Sequence, residues 1–170
     1  MIFNYNVNAL LIAPDNRLIM PDTSFIHAAL EQARAAAARG EVPVGAVVVR
    51  DGRVIASSGN RIVETRDPTA HAELLAIREA CAVLGNERLD ACDLYVTLEP
   101  CPMCASAISF ARIRRLYFGA YDPKGGGVEQ GARIFRQTTC HHRPEVIGGL
   151  LESECGELLK GFFREKRRIS

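Results

Sequence analysis

The spacing of apolar residues changes along the chain, and each change marks an element. From Ser24 onward Ile26, Leu30, Ala33 and Ala37 recur at helical spacing, which predicts a core-facing helix capped by Thr23 or Ser24 and ended by Gly40. Val44 to Arg50 and Arg53 to Ser57 are short β-prone runs joined by Asp51-Gly52. That dipeptide favours a two-residue hairpin, so the runs predict antiparallel strands. Asp67-Pro68-Thr69 interrupts the chain and offers a cap. Leu74, Leu75, Ile77 and Cys81 then suit a helix that ends before Gly85 and carries His71 and Glu73 in its first turn.

Leu94, Val96 and Leu98 alternate with Tyr95 and Thr97 in a strand that stops at Pro100. A helix opens near Pro102, where a missing backbone donor costs nothing. Leu116 to Gly119 predicts another strand, a Gly-rich loop runs from Asp122 to Gly131, and a short strand follows around Val146. The last helix begins near Ser153, with Leu158, Leu159, Phe162 and Phe163 on its apolar side. Helices and strands in this order predict an α/β fold in which helices pack on a mixed sheet. Residues 1–21, broken by Pro14, Asp15, Asn16 and Pro21, read as an N-terminal tail outside the core, and residues 22–170 as one domain.

Composition narrows the partners. A formal net charge of +1 gives no global attraction to nucleic acid, so any basic surface must be local. Two clusters qualify: Arg112, Arg114 and Arg115, and then Arg164, Lys166, Arg167 and Arg168. No apolar run approaches the roughly 20 residues of a membrane-spanning helix, and the N-terminus lacks a signal-peptide pattern, which places the protein in the cytoplasm without membrane contact. There its six cysteines stay reduced, and a close pair points to metal binding rather than a disulfide.

Cys101 and Cys104 are that pair, within Pro100-Cys101-Pro102-Met103-Cys104, and His71-Ala72-Glu73 precedes them by about thirty residues. Together these two motifs match the signature already established for zinc-dependent nucleobase deaminases. Two thiolates and an imidazole suit Zn²⁺ and leave a fourth tetrahedral position open, as a catalytic site requires. The unpaired N–H groups at a helix start favour both thiolates. Zinc lowers the pKa of its water from 15.7 to about 7, giving a hydroxide nucleophile, and Glu73 lies close enough to shuttle protons without ligating. The competing reading is a structural zinc site that takes a fourth ligand from Cys92, Cys140, His141 or His142. His27 reads as an ordinary histidine, and Cys81, Cys92 and Cys155 as small apolar fillers.

Longer stretches carry a resemblance: Glu41-Val42-Pro43-Val44-Gly45-Ala46, Gly59-Asn60-Arg61, Asp67 to Glu73, Tyr95 to Cys101, Ala111-Arg112-Ile113, Phe118-Gly119-Ala120 and Phe162-Phe163-Arg164. Across roughly residues 22 to 168 the chain resembles bacterial tRNA-specific adenosine deaminases. The resemblance implies a cytidine-deaminase-like three-layer α/β/α sandwich with a five-stranded mixed sheet, a homodimer, and conversion of adenosine to inosine at the wobble position in the tRNA anticodon loop. It further implies that Asn60 hydrogen-bonds the flipped nucleotide, that Val44 and His71 flank the base, that Ala72 contacts it through its backbone, and that Asp122 lies near the neighbouring ribose. The loop Gly125 to Gly131 and Cys140-His141 depart from the commoner family pattern, which leaves substrate fit open. A free-nucleobase deaminase acting on guanine or cytosine, or a noncatalytic zinc module that binds RNA, are the alternatives.

Overall fold

The protein is described here as a computed structural model covering residues 11–12, 18–19 and 22–169. Two short strands, β1 (Leu11–Ile12) and β2 (Leu18–Ile19), pair with each other and not with the main sheet. The rest of the segment expected to form a tail lies outside the described residues.

Five strands form the main sheet: β3 (Gly45–Arg50), β4 (Arg53–Gly59), β5 (Cys92–Leu98), β6 (Arg115–Ala120) and β7 (Glu145–Ile147). Their spatial order is β4-β3-β5-β6-β7, with β3 antiparallel to β4 and β5, and β5, β6 and β7 mutually parallel. The mixed sheet expected from the sequence is therefore present. Asp51 and Gly52 take positive φ values of 49° and 71°, the geometry a two-residue hairpin requires, and they close β3 onto β4 as the dipeptide predicted.

Helices α1 (Thr23–Ala38) and α5 (Glu152–Ile169) cover one face, and α3 (Ala72–Leu84) and α4 (Pro102–Phe110) the other. A one-turn helix α2 (Ile62–Thr65), which the sequence pattern did not signal, precedes α3. The apolar side chains divide accordingly. Val47, Val49, Tyr95 and Tyr117 pack with Ile26, Leu30 and Cys155, whereas Val48, Leu94, Val96 and Phe118 pack with Ala76, Ile77 and Ile108. Tyr95 and Tyr117, opposite each other on β5 and β6, stack with ring centroids 4.3 Å apart. Because both faces are covered, Tyr95 and Thr97 are as buried as the residues they alternate with, so the alternation does not mark a wet face.

Some local readings need correction. The cap of α1 is Asp22, whose carboxylate accepts from Ser24 N at 2.9 Å, instead of Thr23 or Ser24. A carboxylate reaches the second N–H from that position, and both hydroxyl residues are already helical. His71 is the N-cap of α3 and stands just outside its first turn, with no side-chain capping bond, because Asp67 is occupied by Thr69. The helix that begins at Pro102 has Cys101 as its N-cap.

Candidate active site

Two helix N-termini meet beyond the carboxyl end of β5. His71 sits at the head of α3 and Cys101 at the head of α4, with Pro102 and Cys104 in the first turn of α4. Both N-caps are extended, with ψ of 149° and 169°, and neither side chain makes a capping bond. His71 Nδ1 lies 3.7 Å from Cys101 Sγ and 3.6 Å from Cys104 Sγ. All three donor atoms lie within 4.8 Å of one another, and among the described residues no further His, Cys, Asp or Glu joins the group.

The electrostatics of the group favour a cation. The hydrogen bond from Cys104, and then one from His71, pull the Cys101 thiol down to about 4. That same bond, helped by burial and by Glu73 and Cys101, holds the Cys104 thiol above its ordinary value. His71 is raised, chiefly by its hydrogen bond to Cys101. Glu73, buried at 3% exposure, is pushed up to about 7 because burial penalises its charge. Its Oε2 is buried without a hydrogen-bond partner. An orphaned carboxylate oxygen beside two close sulfurs and an imidazole nitrogen fits a divalent cation held by His71, Cys101 and Cys104.

The fourth ligand that a structural site needs is not supplied by the residues considered from sequence. Cys92 is buried at the opposite end of β5. Cys140 Sγ donates to His142 O at 3.1 Å and lies 3.4 Å from Ser109 Oγ, while His142 Nε2 pairs with Ile113 O at 2.7 Å. His141 is exposed, as is His27. Cys155 is buried as expected, whereas Cys81 is only half-buried.

The residues implied on the substrate side adjoin the same helix head. Val44 and Asn60 extend the β3–β4 pairing past the strand ends, with Asn60 N donating to Val44 O at 3.1 Å. The Asn60 side chain donates to Val42 O at 3.1 Å and accepts from Ala72 N at 2.9 Å. One amide hydrogen of Asn60 is left for a ligand, and a base acceptor at Ala72 N–H would share that donor with Asn60. Asp122 follows β6, and its Oδ1 accepts from Lys124 N and Gly125 N, both at 3.0 Å.

Two buried acids escaped the sequence reading. Glu41 Oε1 caps α2, accepting from Val63 N and Glu64 N at 2.9 Å. Glu99, two residues before Cys101, accepts backbone N–H groups from the Gly-rich loop. The signal available in the sequence was an acid at a strand end followed by a loop with many unpaired amides.

Comparison with known proteins places these residues in context. The MafB19-like deaminase family matches residues 20–167. A tRNA-specific adenosine deaminase of Agrobacterium fabrum is 66% identical over 145 residues, covering 85% of this chain and 95% of that protein. A solved structure from a study of A-to-I editing by tRNA:A34 deaminases at the wobble position superposes with a TM-score of 0.80 at 66% identity, over 81% of this chain and 99% of the other. A guanine deaminase from Nitrosomonas europaea superposes with a TM-score of 0.68 at 27% identity, over 92% and 88% of the two chains.

Proposed function

Because this chain belongs to the MafB19-like deaminase family and, within it, to the tRNA-specific adenosine deaminases, we propose that it hydrolyses adenosine to inosine at the wobble position of tRNA. The observation that carries the chemistry is the open three-donor group of His71, Cys101 and Cys104 with the Glu73 carboxylate, whose Oε2 has no hydrogen-bond partner, close to it. A binding module has no use for a buried acid held near neutrality in that position.

Zinc is the metal this donor set suits, and when bound it supplies the Lewis acid that makes water a nucleophile near neutral pH. His71 Nδ1 and the two sulfurs would hold it. Glu73 takes the water proton, delivers it to a ring nitrogen as oxygen adds to the base carbon, and passes a proton to the departing amine. Water and adenosine thus give inosine and ammonia. Burial keeps Glu73 near the pKa that two-way transfer needs. Asn60 and Val44 hold the base against His71, Ala72 N–H adds a shared donor, and Asp122 stands beside the neighbouring ribose.

The anticodon loop is the partner, because its adenosine is unpaired and enters a pocket without breaking a duplex. A free-guanine deaminase has the same metal chemistry and a related fold, but 66% identity to the tRNA deaminase structure, against 44% and 27% to guanine deaminases, favours tRNA. The described residues contain no helix long and apolar enough to cross a membrane, and a cytoplasmic location follows from a tRNA substrate. A homodimer accompanies the family reading, and Phe110, 77% exposed at the end of α4, is an apolar surface that a second copy would cover.

The test is incubation of purified protein with a tRNA anticodon stem-loop and, separately, with free bases. Inosine in the stem-loop supports the reading. Ammonia released from guanine or cytosine with an unmodified stem-loop overturns it.

A further inference from the structure

Glu99 ends β5 with a carboxylate that is 2% exposed. Its Oε1 accepts from Val128 N at 3.2 Å and from Glu129 N and Gln130 N at 2.8 Å, and its Oε2 accepts from Asp122 N at 3.1 Å. These donors flank Gly125, Gly126 and Gly127 on both sides, so one buried side chain closes the loop at its two ends. The benefit is mutual. The loop has no regular partners for those amides, and a buried carboxylate is costly unless several donors surround it.

The loop is pressed onto the backbone that carries a metal ligand. A Cβ on Gly127 would lie 2.5 Å from Pro102 N and 2.8 Å from Cys101 C, and one on Gly126 would lie 2.7 Å from the Glu99 carboxyl carbon. Gly127 N also donates to Pro100 O at 2.8 Å. Glycine is required here because the two backbones touch, leaving no volume for a side chain. The segment that departs from the commoner family pattern is thus seated beside the donor group, and Glu99 is what seats it.

We propose that Glu99 is a positioning residue for RNA: it fixes the Asp122–Gln130 segment as a rigid wall of the substrate cleft, so that Asp122 meets the nucleotide beside the target base. This rests on the reading of the protein as a tRNA deaminase. Glu99 is not a member of the donor group and its carboxylate accepts loop amides, so its effect falls on binding of the loop nucleotides more than on the chemical step. A carboxylate is needed because all four partners are donors. The isosteric Glu99→Gln variant has one accepting oxygen, and its NH₂ group faces an N–H on one side.

The experiment pairs hydrogen exchange with kinetics on the full chain. In Glu99→Gln the amides of Asp122, Val128, Glu129 and Gln130 exchange faster, and KM for the anticodon stem-loop rises roughly tenfold while kcat and zinc per chain change far less. Should that variant fail to fold, Gly126→Ala decides the matter. Its methyl group meets Asp122 O at 2.6 Å and the Glu99 carboxylate at 2.7 Å, which separates the loop from an acid that is still present, and the same pattern is expected. Loss of zinc, or a fall in kcat that matches the rise in KM, places Glu99 with the metal loop and overturns the proposal. Turnover by the wild-type protein with unchanged KM in the folded variants also overturns it. Wild-type protein that leaves the stem-loop unmodified overturns the functional reading instead.

Discussion

Asn60 Oδ1 accepts the backbone N–H of Ala72 at 2.9 Å, so the helix that presents His71 and Glu73 is capped by a residue twelve positions upstream. The usual source of a cap, the N-cap side chain, is His71, which makes no capping bond. Asn60 therefore stabilises the head of α3 in place of His71, whose ring faces the two sulfurs.

Asn60→Ala leaves Ala72 N–H without its partner, whereas Val42 O keeps the Val44 N–H, and a buried unpaired group costs roughly 1–3 kcal/mol. The expected result is a lower Tm together with weaker zinc retention, because the ligand at the helix head loses its anchor. Chemical denaturation and metal analysis check both. A variant as stable as wild type would show that water replaces the cap at no cost.

Glu73→Gln keeps the fold and the metal group and reduces turnover by about 10²- to 10⁴-fold, the usual worth of a positioned proton shuttle. The amide carries no charge into a site where burial penalises one, so Tm is expected to be no lower than that of wild type. Single-turnover rates and a melting curve test the two halves separately. Near-normal turnover would remove Glu73 from the mechanism.

Much of this site was legible in the sequence because its residues are covalently close. His71 and Glu73 lie two apart, Cys101 and Cys104 three apart, and a helix start sets the direction of each pair. The Asp51-Gly52 turn was legible because only certain residues tolerate positive φ. What escaped depends on tertiary burial. Asp22 caps α1 from outside its apolar pattern, and α2 has no buried residue to give it a period. Glu41 and Glu99 read as surface acids until the fold encloses them among backbone donors. The basic residues Arg114 and Arg115 read as a patch, yet Asp93 and Glu145 pair with them from neighbouring strands.

Metal content follows from the three-donor group. About one equivalent of zinc per chain is expected, lost on Cys101→Ser or Cys104→Ser and kept on Cys140→Ser, whose sulfur is engaged with His142 O and Ser109. Elemental analysis of the purified variants decides it. Zinc lost from the Cys140 variant would relocate the site.

Removing residues 1–19 is expected to leave Tm and deamination within error of wild type. Among the described residues, strands β1 and β2 in that stretch pair with each other and join no other strand, and the family match begins at residue 20. A large fall in either quantity would mean that Leu10, Leu11 and Ile12 contribute to the domain.

Salt separates an RNA substrate from a free base, and the structure narrows its source. Arg114 forms two 2.9 Å bonds to Asp93, and Arg115 pairs with Glu145 at 2.6 Å, so the first basic cluster carries its own counter-charge. Arg164, Lys166, Arg167 and Arg168 are exposed along the end of α5, where Arg164 and Glu157 lie 3.8 Å apart. Each phosphate that these residues neutralise adds about −0.7 to the slope of log affinity against log salt for single strands. Replacing all four with Ala is therefore expected to weaken stem-loop binding and to flatten the slope by up to about 2.8, with zinc content unchanged. Binding titrations at several salt concentrations measure the slope directly. An unchanged slope would move the RNA contact away from α5, and a slope near zero in the wild-type protein would favour a small-base substrate, which makes no phosphate contacts.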